Sequence, residues 1–347
     1  MLTYLGTNFP GNFLWAKYEV EIIESLKQQI ENRFGSERNL FINSTWFGPQ
    51  FNNPVYYEYL DLVKNNTQFD NLFFLASVDP ALISQQQITE LATQVGAKLF
   101  KIGNFDTKYH FNFFAPVLAE HFQDFPEHEL ILQDPEYLFI NYNRKPREHR
   151  VQLVKKLIEH NLKDLGIVTL GRPNVTYDKD PNNNLYFSIG EKIENYNKDN
   201  HWFTGPDEFD IPHDVLTLHR FDYWQKHFLN IIGATEFNPW DDIFVSETQF
   251  KPILGLRPFV INGNVRTYQW LRDNGFKTFN QYFGVELEEV KDFEVHDSII
   301  QVVKFLSTLS KSEILSMYND MLPDLKYNKQ RFFEYAQEQK TLVNRIL

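Results

Sequence analysis

The sequence predicts an α/β fold built as two βαβ-type halves, each with a parallel sheet, and closed by a helical C-terminal tail. Three observations lead there. Strand-like apolar runs alternate with helix-like amphipathic runs, the pattern of a parallel sheet covered on both faces. The alternation stops at a charged, proline-bearing break over residues 124–135 and then restarts. The length of 347 residues suits two units of ordinary domain size, roughly 100–200 residues each.

In the first half, Trp15 to Arg33 reads as a helix, because Val20, Ile23, Leu26 and Ile30 recur at helical spacing. Asn39 to Trp46 reads as a strand running into Gly48-Pro49, and Val55 to Lys64 as a helix. Asn71 to Ser77 is a strand, Ile88 to Val95 a helix, and Lys98 to Ile102 a strand. After the break, Tyr137 to Tyr142 is a strand. Pro146 to His160 is a helix whose proline occupies an early position, where a missing N–H costs nothing. Leu165 to Leu170 is a strand. Gly171 to Asp214, rich in Asn, Asp and Pro, is too long for a plain connection and reads as an insertion, a lid or a disordered loop.

Strand resumes over His227 to Glu236, followed by a helix over Glu247 to Gly255. Pro252 is expected to interrupt that helix, leaving the Thr248 carbonyl without its partner. Pro258 to Ile261 is a strand, and Val265 to Asn274 a helix stopped by Gly275. Three helices are expected at the end: Asp297 to Leu309, Ser312 to Leu322 and Leu325 to Ile346. The domains implied are residues 1–130, residues 131–325, and a C-terminal helix over 326–347 that packs back on the first domain. No fixed-period repeat is present, which excludes solenoids and propellers.

Composition narrows the chemistry. Cysteine is absent, so disulfides, thiolate metal sites and cysteine nucleophiles are excluded. A net charge of −12 argues against a broad nucleic-acid surface. No apolar run approaches the ~18 residues of a membrane span, and the N-terminus lacks a signal-peptide pattern. A cytoplasmic location is expected. Aromatics are abundant, with 33 Phe, 17 Tyr and 6 Trp. Coding bias explains this alongside the abundant Asn; the sharper alternative is that exposed rings line a sugar or base site.

Three segments carry candidate chemistry. In Asn141 to Leu157, a strand ends and Arg144, Lys145, Arg147 and Arg150 crowd the first turns of the next helix. Cations are disfavoured there, because the macrodipole and the free N–H groups are already positive. A bound anion removes the conflict; a solvated basic patch, partly offset by Glu148, is the plain alternative. Asn143, Arg144, Arg147 and Arg150 are the candidates, with Arg150 the first choice. In Phe244 to Asn264, Ser246, Glu247, Thr248 and Lys251 surround a helix start. A carboxylate there can grip a ribose diol and Lys251 can reach phosphate, although Glu247 and Lys251 also make an ordinary surface pair. In Ile231 to Phe237, Glu236 ends a strand, a position that suits either a site carboxylate or a solvated loop.

The ordered set NYNRKPREHRVQLVKKL, IIGATEF, VSETQFKPILGLRPFVINGN and LRDNGFKTF resembles glycosyltransferases of bacteriophages and related bacterial loci. Its middle part is similar to the donor-binding domain of alpha-1,3-fucosyltransferases and, more distantly, to the exostosin-like family. The resemblance covers roughly residues 137–325. It implies a GT-B-like architecture, with two Rossmann-like domains and the nucleotide sugar held mainly by the C-terminal one. It further implies a hexosyl- or fucosyltransferase-like enzyme moving a sugar from a nucleoside diphosphate donor to an acceptor hydroxyl, on a glycan or another molecule. By the same resemblance Arg150 contacts the donor diphosphate, Glu236 matches the glutamate of a strand end, and Glu247 holds the ribose. Thr248 departs from the family, which has a lysine there; Lys251 would supply the charge instead.

No metal and no cofactor are expected beyond the donor substrate, since helix amides, Arg150 and Lys251 would stabilise the leaving diphosphate. The general base is sought in the first half, at Asp106, His110 or Glu58, and Trp46 is a candidate stacking surface for an acceptor sugar. Asp178-Lys179-Asp180 forms a DxD within a polar loop, where a solvated acidic stretch is the simpler reading. HExxH, GxGxxG and Walker A motifs do not occur. Two rival readings stand: a non-catalytic nucleotide- or carbohydrate-binding protein on the same scaffold, and a viral enzyme that glycosylates modified DNA bases.

Overall fold

The computed structural model describes residues 1–6, 14–43, 58, 61–62, 65, 67–76, 85–103, 111–125, 127–143, 147–170, 218, 221–235, 237, 243–288, 290 and 294–347. The chain divides into two compact units. One comprises Met1–His121, Asp242–Ser246 and Phe333–Leu347; the other comprises Phe122–Asp241 and Glu247–Phe332.

The first unit is built on a parallel sheet with the order β1 (Leu2–Gly6), β2 (Asn39–Asn43), β3 (Asn71–Ala76), β4 (Lys98–Gly103). Side chains alternate between its faces, and register places Tyr4, Phe41, Phe73 and Phe100 in one row. Helix α1 (Leu14–Phe34) covers that aromatic face: its Phe34 packs on Phe73 at 5.3 Å and on Phe100 at 5.4 Å. Leu40, Ile42, Leu72 and Phe74 face the other way, against Ala92 and Leu91 of α2 (Gln85–Gln94). Helix α3 (Phe114–Phe122) starts at a side-chain cap, with Asn112 Oδ1 accepting the N–H groups of Phe114 and Ala115, each at 3.0 Å. The same Asn112 donates from Nδ2 to Val245 O at 2.9 Å, and its backbone N–H donates to Gln339 Oε1 at 2.8 Å.

The second unit has a parallel sheet with the order β6-β5-β7-β8: β5 (Tyr137–Asn143), β6 (Gly166–Leu170), β7 (His227–Gly233) and β8 (Phe259–Asn262). The chain steps from β5 to β6 on one side and later resumes at β7 on the other. Direction therefore reverses between β5 and β7, which makes a topological switch point there. Helix α4 (Glu148–Glu159) packs Val151 and Val154 on Val168 and Leu170 of β6. Gly166 is small because the Phe139 ring occupies the place of its side chain. The remaining helices are α5 (Phe221–Trp224), α6 (Glu247–Leu254), α7 (Arg266–Asp273), α8 (Asn280–Phe283), α9 (Glu294–Ser307) and α10 (Lys311–Val343).

At the N-terminal end of this sheet the Arg257 guanidinium is fully buried. It donates to the carbonyls of His227 at 2.8 Å, Leu130 at 2.6 Å, Leu256 at 2.9 Å and Trp224 at 2.5 Å, and to Tyr318 Oη at 3.2 Å. Burial lowers its pKa to about 10, so it remains a cation at neutral pH.

Several elements differ from expectation. Strand β7 ends at Gly233, short of Glu236, because Ala234 N–H bonds the Asn262 carbonyl at the last rung of the ladder. Pro252 lies inside α6 without ending it: Gly255 N–H still bonds Lys251 O at 2.8 Å and Arg257 N–H bonds Pro252 O at 2.9 Å. The two terminal helices expected are one, α10, running through Pro323. Its buried residues Ile314, Tyr318, Met321, Leu325, Asn328 and Phe332 keep a continuous three-and-four spacing, while Pro323 and Asn319 are exposed. Water can thus satisfy the carbonyl that the proline leaves unpaired. Gly275 does stop α7, in the left-handed region at φ 82°. Strand β1 and helix α3 were not expected. Among the described residues the aromatics sit largely inside: Phe41, Phe73, Phe74, Phe111, Phe113, Phe139 and Phe228 are all fully buried. No helix among the described residues is long and apolar enough to cross a membrane.

Candidate functional site

A parallel sheet with a switch point leaves its crevice outside the C-terminal ends of the strands flanking the switch. Here those ends are Asn143 on β5 and Gly233 on β7. Gly233 pairs with Asn262 of β8, and Ile140 pairs with Asn230, so the same register carries Asn143 beside Gly233. Asn143, Gly233 and Asn262 therefore form one row on the face that α4 covers. A side chain at Gly233 would collide with Asn143 Oδ1, and its Cβ would lie 3.3 Å from Arg150 Nε.

The strands below the row are stitched by asparagines placed two residues apart on one face. Asn141 Nδ2 donates to Ile231 O at 2.8 Å, and Asn143 Nδ2 donates to Asn141 Oδ1 at 2.6 Å and to Thr169 O at 3.1 Å. The Asn143 backbone N–H donates to Thr169 Oγ1 at 3.0 Å. Across the row, Asn262 Nδ2 donates to His149 O at 3.1 Å. Every one of these asparagines is fully buried.

Above the row lies the first turn of α4. Its N-cap is Arg147, in extended backbone at φ −69° and ψ 151°, and its side chain makes no capping bond. A guanidinium has no acceptor to offer. Arg150 is 7% exposed. Its Nη2 donates to Gly233 O and Ala234 O, each at 2.8 Å, and its Nε donates to Ala234 O at 3.2 Å. His149 Nε2 lies 2.9 Å from the same Ala234 carbonyl, which requires the ring proton on that nitrogen. Burial, and after it the Arg150 charge, push His149 down to about 3. Burial, and after it Lys156, push His296 of α9 down to about 4. Both rings are neutral at pH 7 and each stacks on Phe237, with centroids at 5.1 and 5.7 Å and planes within 17° and 16°. The backbone leaving β7 is thus held by Arg150, His149 and this three-ring stack.

The structure brings Asn143, Arg147 and Arg150 together at the switch point. Glu247 and Thr248, both half-buried, open α6, where Thr248 Oγ1 donates to Gln249 Oε1 at 2.9 Å and Lys251 is 6% exposed. Ser246 is buried within the first unit. Glu58 is exposed. Arg144, Lys145, Glu236, Asp106, His110, Trp46 and the Asp178–Asp180 motif lie outside the described residues. Sequence reasoning missed Gly233, Asn262, His149, Phe237 and His296. The available signal was the pair Asn141 and Asn143 in an otherwise apolar strand, which marks a polar patch on one buried face. Among the described residues, no group of three or more His, Asp or Glu side chains is placed to hold a metal ion.

No protein-family model matches this sequence, and no curated protein matches it.

Proposed function

We propose that the chain is a glycosyltransferase of GT-B-like architecture that moves a sugar from a nucleoside diphosphate donor to an acceptor hydroxyl, with the donor on the second unit. The observation that carries the reading is the first turn of α4 at the β5–β7 switch point. There, an uncapped helix N-terminus and Arg147 concentrate positive potential beside a polar strand-end row. A diphosphate leaving group needs such fixed donors, because charge develops on it as the glycosidic bond breaks. The first-turn N–H groups and Arg147 receive the phosphates. Arg150 is a positioning residue in this scheme: its donors fix the carbonyls of Gly233 and Ala234, and its charge adds to the local field. Glu247 takes the ribose, as the family resemblance implies, and the acceptor's proton goes to a base on the first unit. The enzyme acts in the cytoplasm and uses no metal.

Calorimetry with UDP, GDP and their sugar conjugates tests this reading, with micromolar-range binding expected and Arg147→Ala weakening it. Absence of binding by every nucleoside diphosphate would overturn it. Thr248, where the resembling family has lysine, favours a second reading as a binding protein without turnover. A transfer and hydrolysis assay across the same donors separates the two.

A further inference from the structure

We propose that the side-chain carbonyls of Asn143 and Asn262 form an acceptor pair that receives the hydroxyl groups of a sugar ring, either the ribose or the transferred sugar of the donor. The inference rests on the reading above and names the part of the ligand that this row recognises. It makes Asn262, at the end of β8, a specificity-determining residue.

Both side chains are fully buried and both have their amide nitrogens engaged, Asn143 on Asn141 Oδ1 and Thr169 O, Asn262 on His149 O. Those bonds fix which way each amide points, so the oxygens are the ends left for a donor. Among the described residues, neither Asn143 Oδ1 nor Asn262 Oδ1 meets a hydrogen-bond donor. Buried acceptors are rarely left in that state, and each such group calls for an explanation. These two share one register row and flank Gly233, which contributes no side chain between them. They also sit at the strand ends beside the switch point, where ligands bind in this class of sheet.

The chemistry of the pair restricts its ligand. Amide oxygens attract O–H and N–H groups and repel phosphate oxygens, so the row cannot be the anion site. The N–H groups at the start of α4, and Arg147, present the opposite polarity beside the row. A ligand carrying anionic oxygens at one place and hydroxyl donors at another satisfies both surfaces. A nucleoside diphosphate sugar has that distribution, and inorganic phosphate alone does not.

The test is a calorimetric cycle between the protein and its ligand. Wild type and Asn262→Leu are titrated with UDP, GDP, UDP-glucose, GDP-fucose, the same nucleotides carrying dideoxyribose, and free glucose and fucose. Removing the relevant hydroxyls should cost wild type about tenfold or more in affinity, the scale of one buried acceptor left unpaired. Asn262→Leu should lose a similar factor for the hydroxyl-bearing ligand and little for its deoxy counterpart. Loss with dideoxyribose assigns the ribose; a penalty seen only between nucleotide and nucleotide sugar assigns the transferred sugar. Equal binding of all nucleotides by both proteins overturns the pair as a ligand site and leaves the oxygens to buried water, while the glycosyltransferase reading survives. If wild type binds no nucleotide and no sugar, both fall. Should Asn262→Leu fail to fold, the ligand series on wild type decides alone.

Discussion

Arg257 and Arg150 stand at opposite ends of the second unit's sheet and use the same chemistry, a buried guanidinium on main-chain carbonyls. Arg257 grips His227 O at the start of β7, and five further acceptors including Tyr318 Oη surround it. Its surroundings are closed: Trp224 Nε1 donates to Gly255 O at 2.7 Å, and the Trp224 ring fills the space a Gly255 side chain would need. Arg150 grips Gly233 O and Ala234 O at the far end of the same strand, but beside it the oxygens of Asn143 and Asn262 meet no donor among the described residues. At the first end the guanidinium and the carbonyls it holds are engaged with one another, which serves rigidity, although His227 Nε2 beside them is buried without a hydrogen-bond partner among the described residues; at the other end two side-chain acceptors in one strand-end row are left over. The contrast separates a stability end from a recognition end within one sheet.

The largest expected effect breaks the closed end. Arg257→Leu should cost about 3–5 kcal/mol in denaturant unfolding, since several buried carbonyls lose their donor together. A loss under about 1 kcal/mol would erase the distinction between the ends. Next, Gly233→Ala places a methyl where Asn143 Oδ1 lies. It should cost about 1–3 kcal/mol of stability and should weaken nucleotide binding, which Arg257→Leu, once folded, should not.

Acid provides a graded comparison. His149 and His296 at the recognition end, and His227 at the closed end, are held neutral, chiefly by burial, with pKa values below the ordinary histidine range. A lowered histidine pKa means that the unfolded chain binds more protons. Stability is therefore fully present above about pH 6.5 and falls as pH drops toward the folded values, by up to about 1.4 kcal/mol per pH unit for each histidine. Replacing His149 and His296 with Phe should flatten that slope in a pH series of unfolding curves and leave only the His227 share. The smallest effect belongs to Arg147→Ala. Removing a cation from a helix N-terminus should change stability by under about 1 kcal/mol, and in the favourable direction, while a calorimetric titration with UDP or GDP shows the loss of a phosphate contact.

Much of the fold was legible because it is written in local pattern. NLFFLA, KLFKIG and YLFINYN are compact strand runs, and Gly275 marks a helix end by its backbone freedom. Strand β1 was not legible: Leu2–Gly6 is five residues with a weak apolar signal. Helix α3 was obscured by Pro116 near its start, a position that costs no hydrogen bond. Pro323 suggested a break because proline acts locally, yet the stripe from Ile314 to Phe332 outweighs it. At the candidate site, the basic cluster could be read from charge alone. The row Asn143, Gly233, Asn262 could not, since it depends on β5 and β8 both flanking β7. Strand order is a property of the whole sheet and leaves no trace in the periodicity of any one strand.

Asn112 carries a consequence for the order of events during synthesis. Its three polar groups hold the start of α3, Val245 and Gln339, which lie far apart along the chain but belong to one unit. The segment Phe333–Leu347 that completes the first unit therefore leaves the ribosome only after the whole of the second unit. Sheet β1–β4 emerges early but waits for Phe333–Leu347, while the second unit's sheet is already finished at Asn262. The nascent chain thus departs from the usual course in which the unit that emerges first folds first, and it leaves the apolar strands β1–β4 incomplete until the second unit has been made, which makes those strands a point of vulnerability to aggregation.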